Sequence, residues 1–177
     1  MAQTIFITGG ARSGKSFFAE KRALQFGAPL GYLATSQALD DEMNERVVKH
    51  RERRGTEWST IEEPVNLPQA LADCDGEYRA ILVDCVTLWL SNLLFKYEDV
   101  PETVEERIKD DVQQLIRTLN KMITPVILVS NEVGMGIVPD NRLARLFRDI
   151  AGTANQALAA AADEVHVVIS GIPLKLK

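Results

Sequence analysis

Short runs of β-branched and other apolar residues recur along the chain, and longer amphipathic stretches separate them. The runs lie at positions 4–8, 30–34, 80–84, 126–130 and 165–170. Most of them are continuously apolar rather than alternating, as in VILV and VHVVI, which is typical of strands covered on both faces. The pattern therefore predicts a mainly parallel sheet.

Apolar residues return every three or four positions at 15–26, 102–122 and 141–162. This spacing predicts helices; Pro101 stands near the start of the second, where proline is tolerated, whereas Gly152 weakens the middle of the third. Strands alternating with helices indicate βαβ units with right-handed crossovers, and hence a three-layer α/β sandwich. Residues 170–177 alternate apolar residues with lysine and suit a last edge strand.

Composition adds that this is an ordinary globular chain. It has 177 residues, 46% hydrophobic and 25% charged, without a linker, internal repeat or low-complexity tract, so we expect one domain over residues 1–177. A net charge of −5 disfavours non-specific electrostatic binding to nucleic acid or to an anionic membrane. With no basic leader and no run of eighteen apolar residues, we expect a cytoplasmic protein with no membrane span.

A glycine-rich segment follows the first predicted strand and precedes the first predicted helix. It fits G-x-x-x-x-G-K-[ST] and comprises Gly9, Gly10, Ala11, Arg12, Ser13, Gly14, Lys15 and Ser16. Such a loop turns successive N–H groups toward a polyphosphate, while Lys15 reaches the β- and γ-phosphates and Ser16 offers a hydroxyl to Mg²⁺. The motif in this context predicts a nucleoside triphosphate site.

A phosphate loop of this kind needs a second acid at the end of a neighbouring strand. Asp84 ends the run ILVD and is the best candidate for the magnesium shell; Glu62, Glu63 and Glu132 are weaker ones. A guanine-reading N-K-x-D is missing, because Asn131 is followed by Glu-Val-Gly, so a GTPase switch is disfavoured. Next to Asp84, Cys85 is most simply a small buried hydrophobic residue.

The segment 40–54 is acidic at its start and basic at its end, as a solvated helix prefers. His50 lies within it among Arg46, Arg51, Arg53 and Arg54. Neighbouring cations favour the neutral imidazole, which is nucleophilic toward phosphorus, but a general base or a plain surface residue would fit equally well. His166, in the run VHVVI, reads as a structural strand histidine.

Several motifs together resemble one known family. They are the phosphate loop, ATS at 34–36, the arginine segment from Arg46 to Trp58, NEVGMGIVP at 131–139, RDIAG at 148–152, Asn155-Gln156, and the stretch from Ala162 to Gly171. Over nearly the whole chain the sequence is similar to the bifunctional adenosylcobinamide kinase / adenosylcobinamide-phosphate guanylyltransferases of cobalamin biosynthesis. NEVGMGIVP and HR-x-x-R are far more specific than the phosphate loop.

The resemblance implies a RecA-like P-loop fold, a homotrimer, and two reactions that use ATP or GTP with Mg²⁺. Adenosylcobinamide is phosphorylated, and GMP is then transferred from GTP to adenosylcobinamide-phosphate through a guanylylated histidine, for which His50 is the matching residue. The resemblance also implies nucleotide contacts at Ala34, Thr35, Ser36, Arg51, Glu52, Arg53, Arg54, Glu62 and Asp84. Two alternatives stay open: a small-molecule or nucleoside monophosphate kinase without a covalent intermediate, and a nucleotide-sensing regulatory module.

Overall fold

A computed structural model describes residues 2–36 and 55–177. The predicted helix at 40–54, and with it His50 and its arginine neighbours, lies outside the described residues. The described chain builds a seven-stranded sheet of order β3-β2-β4-β5-β1-β6-β7. The strands are β1 (Thr4–Gly9), β2 (Leu30–Ala34), β3 (Trp58–Glu62), β4 (Ala80–Asp84), β5 (Val126–Asn131), β6 (Glu164–Ile169) and β7 (Ile172–Lys175).

Six strands run parallel, and β7 returns antiparallel to β6. The carboxyl ends of the parallel strands therefore meet at one edge, where ligands of open α/β sheets bind. At this edge the phosphate loop follows β1 and Asp84 ends β4. Because β5 lies between these two strands, they are about 10 Å apart, two ordinary strand spacings.

Helices cover both faces of the sheet. They are α1 (Lys15–Leu24), α2 (Leu67–Asp73), α3 (Val86–Lys96), α4 (Val104–Leu119) and α5 (Arg142–Ala161). The buried residues of α1 pack with one side of the central strands, and those of α2 to α5 form the larger core on the other side. The predicted three-layer, mainly parallel α/β architecture is confirmed. Among the described helices, none combines the length and apolar character needed to cross a bilayer.

Within residues 2–36 and 55–177, the predicted strands and helices occur within a few residues of their expected bounds. Leu30–Ala34 and Ala80–Asp84 match their runs, and residues 170–177 contain the edge strand β7. The chain also forms β3, α2 and α3, which the pattern did not predict. Gly152 does not interrupt α5, which is continuous from Arg142 to Ala161.

Candidate nucleotide-binding site

The phosphate loop turns directly from β1 into α1. Lys15 is the first residue of the helix and is mostly buried, and its Nζ donates a hydrogen bond across the loop to the carbonyl of Gly10 at 3.0 Å. Burial lowers the pKa of this ammonium, and the neighbouring Cys85 and Asp84 act in the opposite direction. The lysine of the motif thus lies within electrostatic reach of the acid at the end of β4.

Two glycines of the loop are required by close contacts with the end of β6. A Cβ on Gly9 would lie 2.4 Å from the carbonyl oxygen of Val168. Gly14 has φ of 95°, and a Cβ there would lie 3.2 Å from the Cα of Gly171. The amide of Gly171 also donates to the carbonyl of Ser13 at 2.8 Å. The β6–β7 turn therefore braces the phosphate loop from one side.

Asp84 is held by a clamp between the ends of β2 and β4. The hydroxyl of Thr35, a fully buried residue, accepts from the amide of Cys85 at 2.9 Å and donates to the carbonyl of Cys85 at 2.7 Å. The side-chain amide of Asn92 on α3 donates to the carbonyls of Thr35 at 2.8 Å and Pro64 at 2.9 Å. These bonds fix the backbone on the carboxyl side of Asp84 and tie three strand ends together.

The residues around Asp84 fit a magnesium site. Ser16 and Asp84 supply hydroxyl and carboxylate oxygens, the donors that Mg²⁺ prefers, and this ion commonly keeps several water ligands. Asp84 ends β4, and only β5 separates this strand from β1, which leads into the phosphate loop. Among residues 2–36 and 55–177, no cluster of three or more His, Cys, Asp or Glu side chains forms a self-contained metal cage.

Two of the three weaker candidates for the magnesium shell accept hydrogen bonds from nearby backbone amides. The Oε1 of Glu63 accepts from the amides of Val65 and Asn66, at 2.8 and 2.7 Å, and so orders the entry to α2. The Oε1 of Glu132 accepts from the amide of Gly134 at 2.9 Å. Glu62 lies at the end of β3. Glu62 therefore stays an alternative, and the pairing of Asp84 with Ser16 stays a prediction.

A buried polar chain lies behind the end of β5, and the sequence patterns did not predict it. The hydroxyl of Ser130 lies 3.2 Å from that of Thr87 and donates to the Oδ1 of Asn155 at 2.7 Å. The hydroxyl of Thr87 accepts from the amide of Asn131 at 2.6 Å, and the side-chain amide of Asn155 donates to the carbonyl of Asn131 at 3.2 Å. The sequence indicates it only through two family motifs, since Asn131 begins NEVGMGIVP and Asn155 belongs to Asn155-Gln156. These buried hydrogen bonds fix Asn131, after which the loop between β5 and α5 begins.

The described part of the predicted site comes together at one edge. Residues 9–16 follow β1, and the register pairs Ala34 with both Asp84 and Glu62. Thr35 and Ser36 continue from the end of β2. Since the hydroxyl of Thr35 is engaged with Cys85, its direct contact with a nucleotide stays a prediction. His50, Arg51, Glu52, Arg53 and Arg54 lie outside the described residues.

The other reactive side chains of the described chain have structural environments. Burial raises the pKa of the Cys85 thiol to about 11, so it is protonated near neutral pH, in agreement with a packing role. His166 is buried in β6, and its Nε2 lies 2.5 Å from the Oε1 of Glu164. The Oε2 of Glu164 also pairs with Arg22 at 3.1 Å. His166 is thus a buried strand histidine in the middle of β6, paired in register with Ile7 of β1.

The combination of a phosphate loop after β1, an acid after β4 and an intervening β5 defines a RecA-like P-loop nucleotide-binding protein. A solved structure with the same fold is that of the RadB recombinase, with a TM-score of 0.51 and 15% identity, covering 93% of this chain and 73% of that one. At this identity the likeness concerns the fold alone.

Closer relationships appear at the level of sequence. The family model described as cobinamide kinase / cobinamide phosphate guanyltransferase matches residues 5–176, and the chain belongs to this family. It is 50% identical to the bifunctional adenosylcobalamin biosynthesis protein CobU of Salmonella typhimurium, covering 98% of this chain and 99% of the relative. It is also 43% identical to the CobP protein of Pseudomonas aeruginosa, covering 97% and 95%. The resemblance inferred from the motifs is confirmed.

Proposed function

We propose that this protein phosphorylates adenosylcobinamide at the phosphate loop and then transfers GMP to the product through His50. Family membership makes the chain a bifunctional kinase and guanylyltransferase, and decides against both a simple monophosphate kinase and a regulatory module. The single observation that supports the site assignment is that β1, which leads into the phosphate loop, and β4, which ends at Asp84, are separated only by β5 and end at the same edge of the sheet.

In the kinase step, ATP or GTP lies along residues 9–16 with its phosphates toward the amides of the loop and the N-terminus of α1. Ser16 and Asp84 would hold Mg²⁺, which would neutralise part of the charge of the polyphosphate. The terminal hydroxyl of adenosylcobinamide attacks the γ-phosphorus, the bond to the β-phosphate oxygen breaks, and the hydroxyl proton passes to water. Lys15 stabilises the negative charge that develops on the leaving diphosphate.

In the transferase step, a ring nitrogen of His50 attacks the α-phosphorus of GTP. A P–N bond forms, the P–O bond to the β-phosphate breaks, and pyrophosphate leaves. A phosphate oxygen of adenosylcobinamide-phosphate then attacks the same phosphorus and displaces the imidazole, which gives adenosylcobinamide-GDP. Arg51, Arg53 and Arg54 are suited to hold the phosphate oxygens in both steps.

The test is to incubate the protein with α-labelled GTP and map the label by peptide mass spectrometry. The chain contains two histidines, so the mapping decides between His50 and His166. We expect acid-labile, base-stable label on the peptide that contains His50. The His50→Ala variant should lose this label and the transferase activity but keep the kinase activity, whereas His166→Gln should keep the label.

Two results would contradict the assignment. Label that persists on His50→Ala protein would place the intermediate on another residue. Loss of both activities in a folded His50→Ala variant would show that the histidine serves more than guanylyl transfer.

The assembly and setting of the enzyme belong to the same proposal. We infer a homotrimer in the cytoplasm, with no nucleic acid partner, supported by the family resemblance and by the net charge of −5. Sedimentation equilibrium of the purified protein tests the trimer, and a mass of one or two chains would contradict it.

A further inference from the structure

The loop from β5 to α5, residues 132–141, presents three apolar side chains to solvent beside the phosphate loop. Met135 is 89% exposed, Ile137 is 97% exposed and Val138 is 61% exposed. Single exposed apolar residues are ordinary on protein surfaces, but three within four positions form a patch that a contact surface explains better.

The backbone of this loop is fixed at its first residues. The amide of Glu132 donates to the carbonyl of Gly9 at 2.9 Å, which joins the loop to the phosphate loop. The preceding residue, Asn131, is held by Thr87 and Asn155 through both its amide and its carbonyl. The loop therefore leaves the sheet in a direction set by the buried polar chain.

Its last residues are fixed as well. Arg145 on α5 donates to the carbonyls of Pro139 at 2.8 Å and Asp140 at 2.7 Å. Asn141 caps the helix, since its Oδ1 accepts from the amides of Leu143 and Ala144. Both ends of the loop are thus anchored, which limits the positions open to the apolar residues between them and so reduces the entropic cost of binding.

We propose that Met135, Ile137 and Val138 form the surface against which the corrin macrocycle of adenosylcobinamide rests. This inference depends on the proposed function, because the acceptor hydroxyl must reach a γ-phosphate on residues 9–16. The loop begins on β5, between the strand that carries the phosphate loop and the strand that carries Asp84. It borders the reaction site on the side opposite the β6–β7 turn, which packs against Gly14.

The chemistry of the substrate agrees with this surface. A corrin ring is a broad macrocycle with methyl groups and amide side chains around its rim, and in adenosylcobinamide the adenosyl group occupies one of its two faces. An exposed apolar platform covers one face of such a ring and leaves the amides in water. A second copy of this chain is the competing occupant of the patch, and the experiment below separates the two.

The test compares the double variant Met135→Ser/Ile137→Ser with the apolar variant Met135→Leu/Ile137→Val. A third variant, Ile123→Ser, removes an exposed apolar side chain at the opposite edge of the sheet. Binding of adenosylcobinamide is measured by equilibrium dialysis, using the visible absorbance of the corrinoid. Kinase KM values are measured for adenosylcobinamide and for ATP, and molar mass by light scattering.

We expect the serine double variant to bind adenosylcobinamide about thirtyfold more weakly, from the loss of two apolar side chains that binding would bury. The KM for ATP, self-labelling by α-labelled GTP and molar mass should not change, and the other two variants should behave like the wild type. Unchanged corrinoid binding would overturn the proposal. A fall in molar mass would overturn it in favour of a contact between copies. Wild-type protein that binds the corrinoid but does not phosphorylate it would contradict the proposed function instead.

Discussion

Replacing Thr35 by valine tests whether the clamp between β2 and β4 holds Asp84. Valine has nearly the same shape as threonine, so packing is kept while the hydroxyl is lost. The amide of Cys85 then has no partner, because it donates to that hydroxyl at 2.9 Å. The carbonyl of Cys85 keeps its helical bond from the amide of Trp89 at 3.2 Å, so one buried group is orphaned rather than two.

An orphaned buried amide costs about 2 kcal/mol. In urea, with a slope of about 2 kcal/mol per M, the unfolding midpoint of Thr35→Val should fall by about 1 M. The backbone next to Asp84 is also released, and a misplaced catalytic group of this kind costs about tenfold or more in kcat. The control is Thr35→Ser, which loses a methyl group at about 0.8 kcal/mol but keeps both hydrogen bonds.

The decisive measurement is hydrogen exchange at the amide of Cys85. It should be fast in Thr35→Val and protected in both Thr35→Ser and the wild type. If Thr35→Val keeps that protection, unfolds at the wild-type urea concentration and phosphorylates adenosylcobinamide at the wild-type rate, the clamp does not position Asp84.

Three further predictions concern other contacts. Asn92→Leu should lower kinase kcat more than it raises the KM for ATP, since it frees the carbonyls of Thr35 and Pro64; steady-state kinetics will decide. Gly14→Ala should weaken nucleotide binding by more than tenfold, because its Cβ would press on Gly171 at a φ of 95°, as calorimetry with a non-hydrolysable GTP analogue will measure. Burial raises the pKa of Asp75, but hydrogen bonds from backbone amides and a hydroxyl outweigh this effect and leave the pKa below 3.8. The carboxylate therefore stabilises the fold above about pH 4, and this stabilisation is lost as the pH falls through the pKa of the folded state. Urea midpoints measured across pH should show Asp75→Asn less stable than the wild type above about pH 4 and equally stable at low pH.

The elements with strong local patterns were predictable. Residues 80–84 are continuously apolar, and the phosphate loop is a contiguous motif. α3 was missed because it follows β4 after one residue and is apolar on most sides, so its apolar positions do not form a clear stripe. β3 was missed because WSTIE is only partly buried.

The residues of the site likewise divide into those that a local sequence pattern predicts and those that it does not. Asp84 follows from its place at the end of an apolar run, whereas the clamp depends on β2 and β4 being neighbours. Thr35 and Cys85 are 50 residues apart, and Asn92 reaches Thr35 from 57 residues away. Such pairings are set by strand order, which no local spacing encodes.

The brace on the phosphate loop has a consequence for how the enzyme is made. The loop at residues 9–16 emerges early from the ribosome, but Val168 and Gly171, which support it, emerge near the end of translation. β1 likewise pairs with β6, and the amide of Thr4 donates to Asp163, 159 residues away. A nascent chain that stops short of β6 should therefore be unable to retain nucleotide, so GTP captured by stalled chains of increasing length should report when the last parallel strand docks.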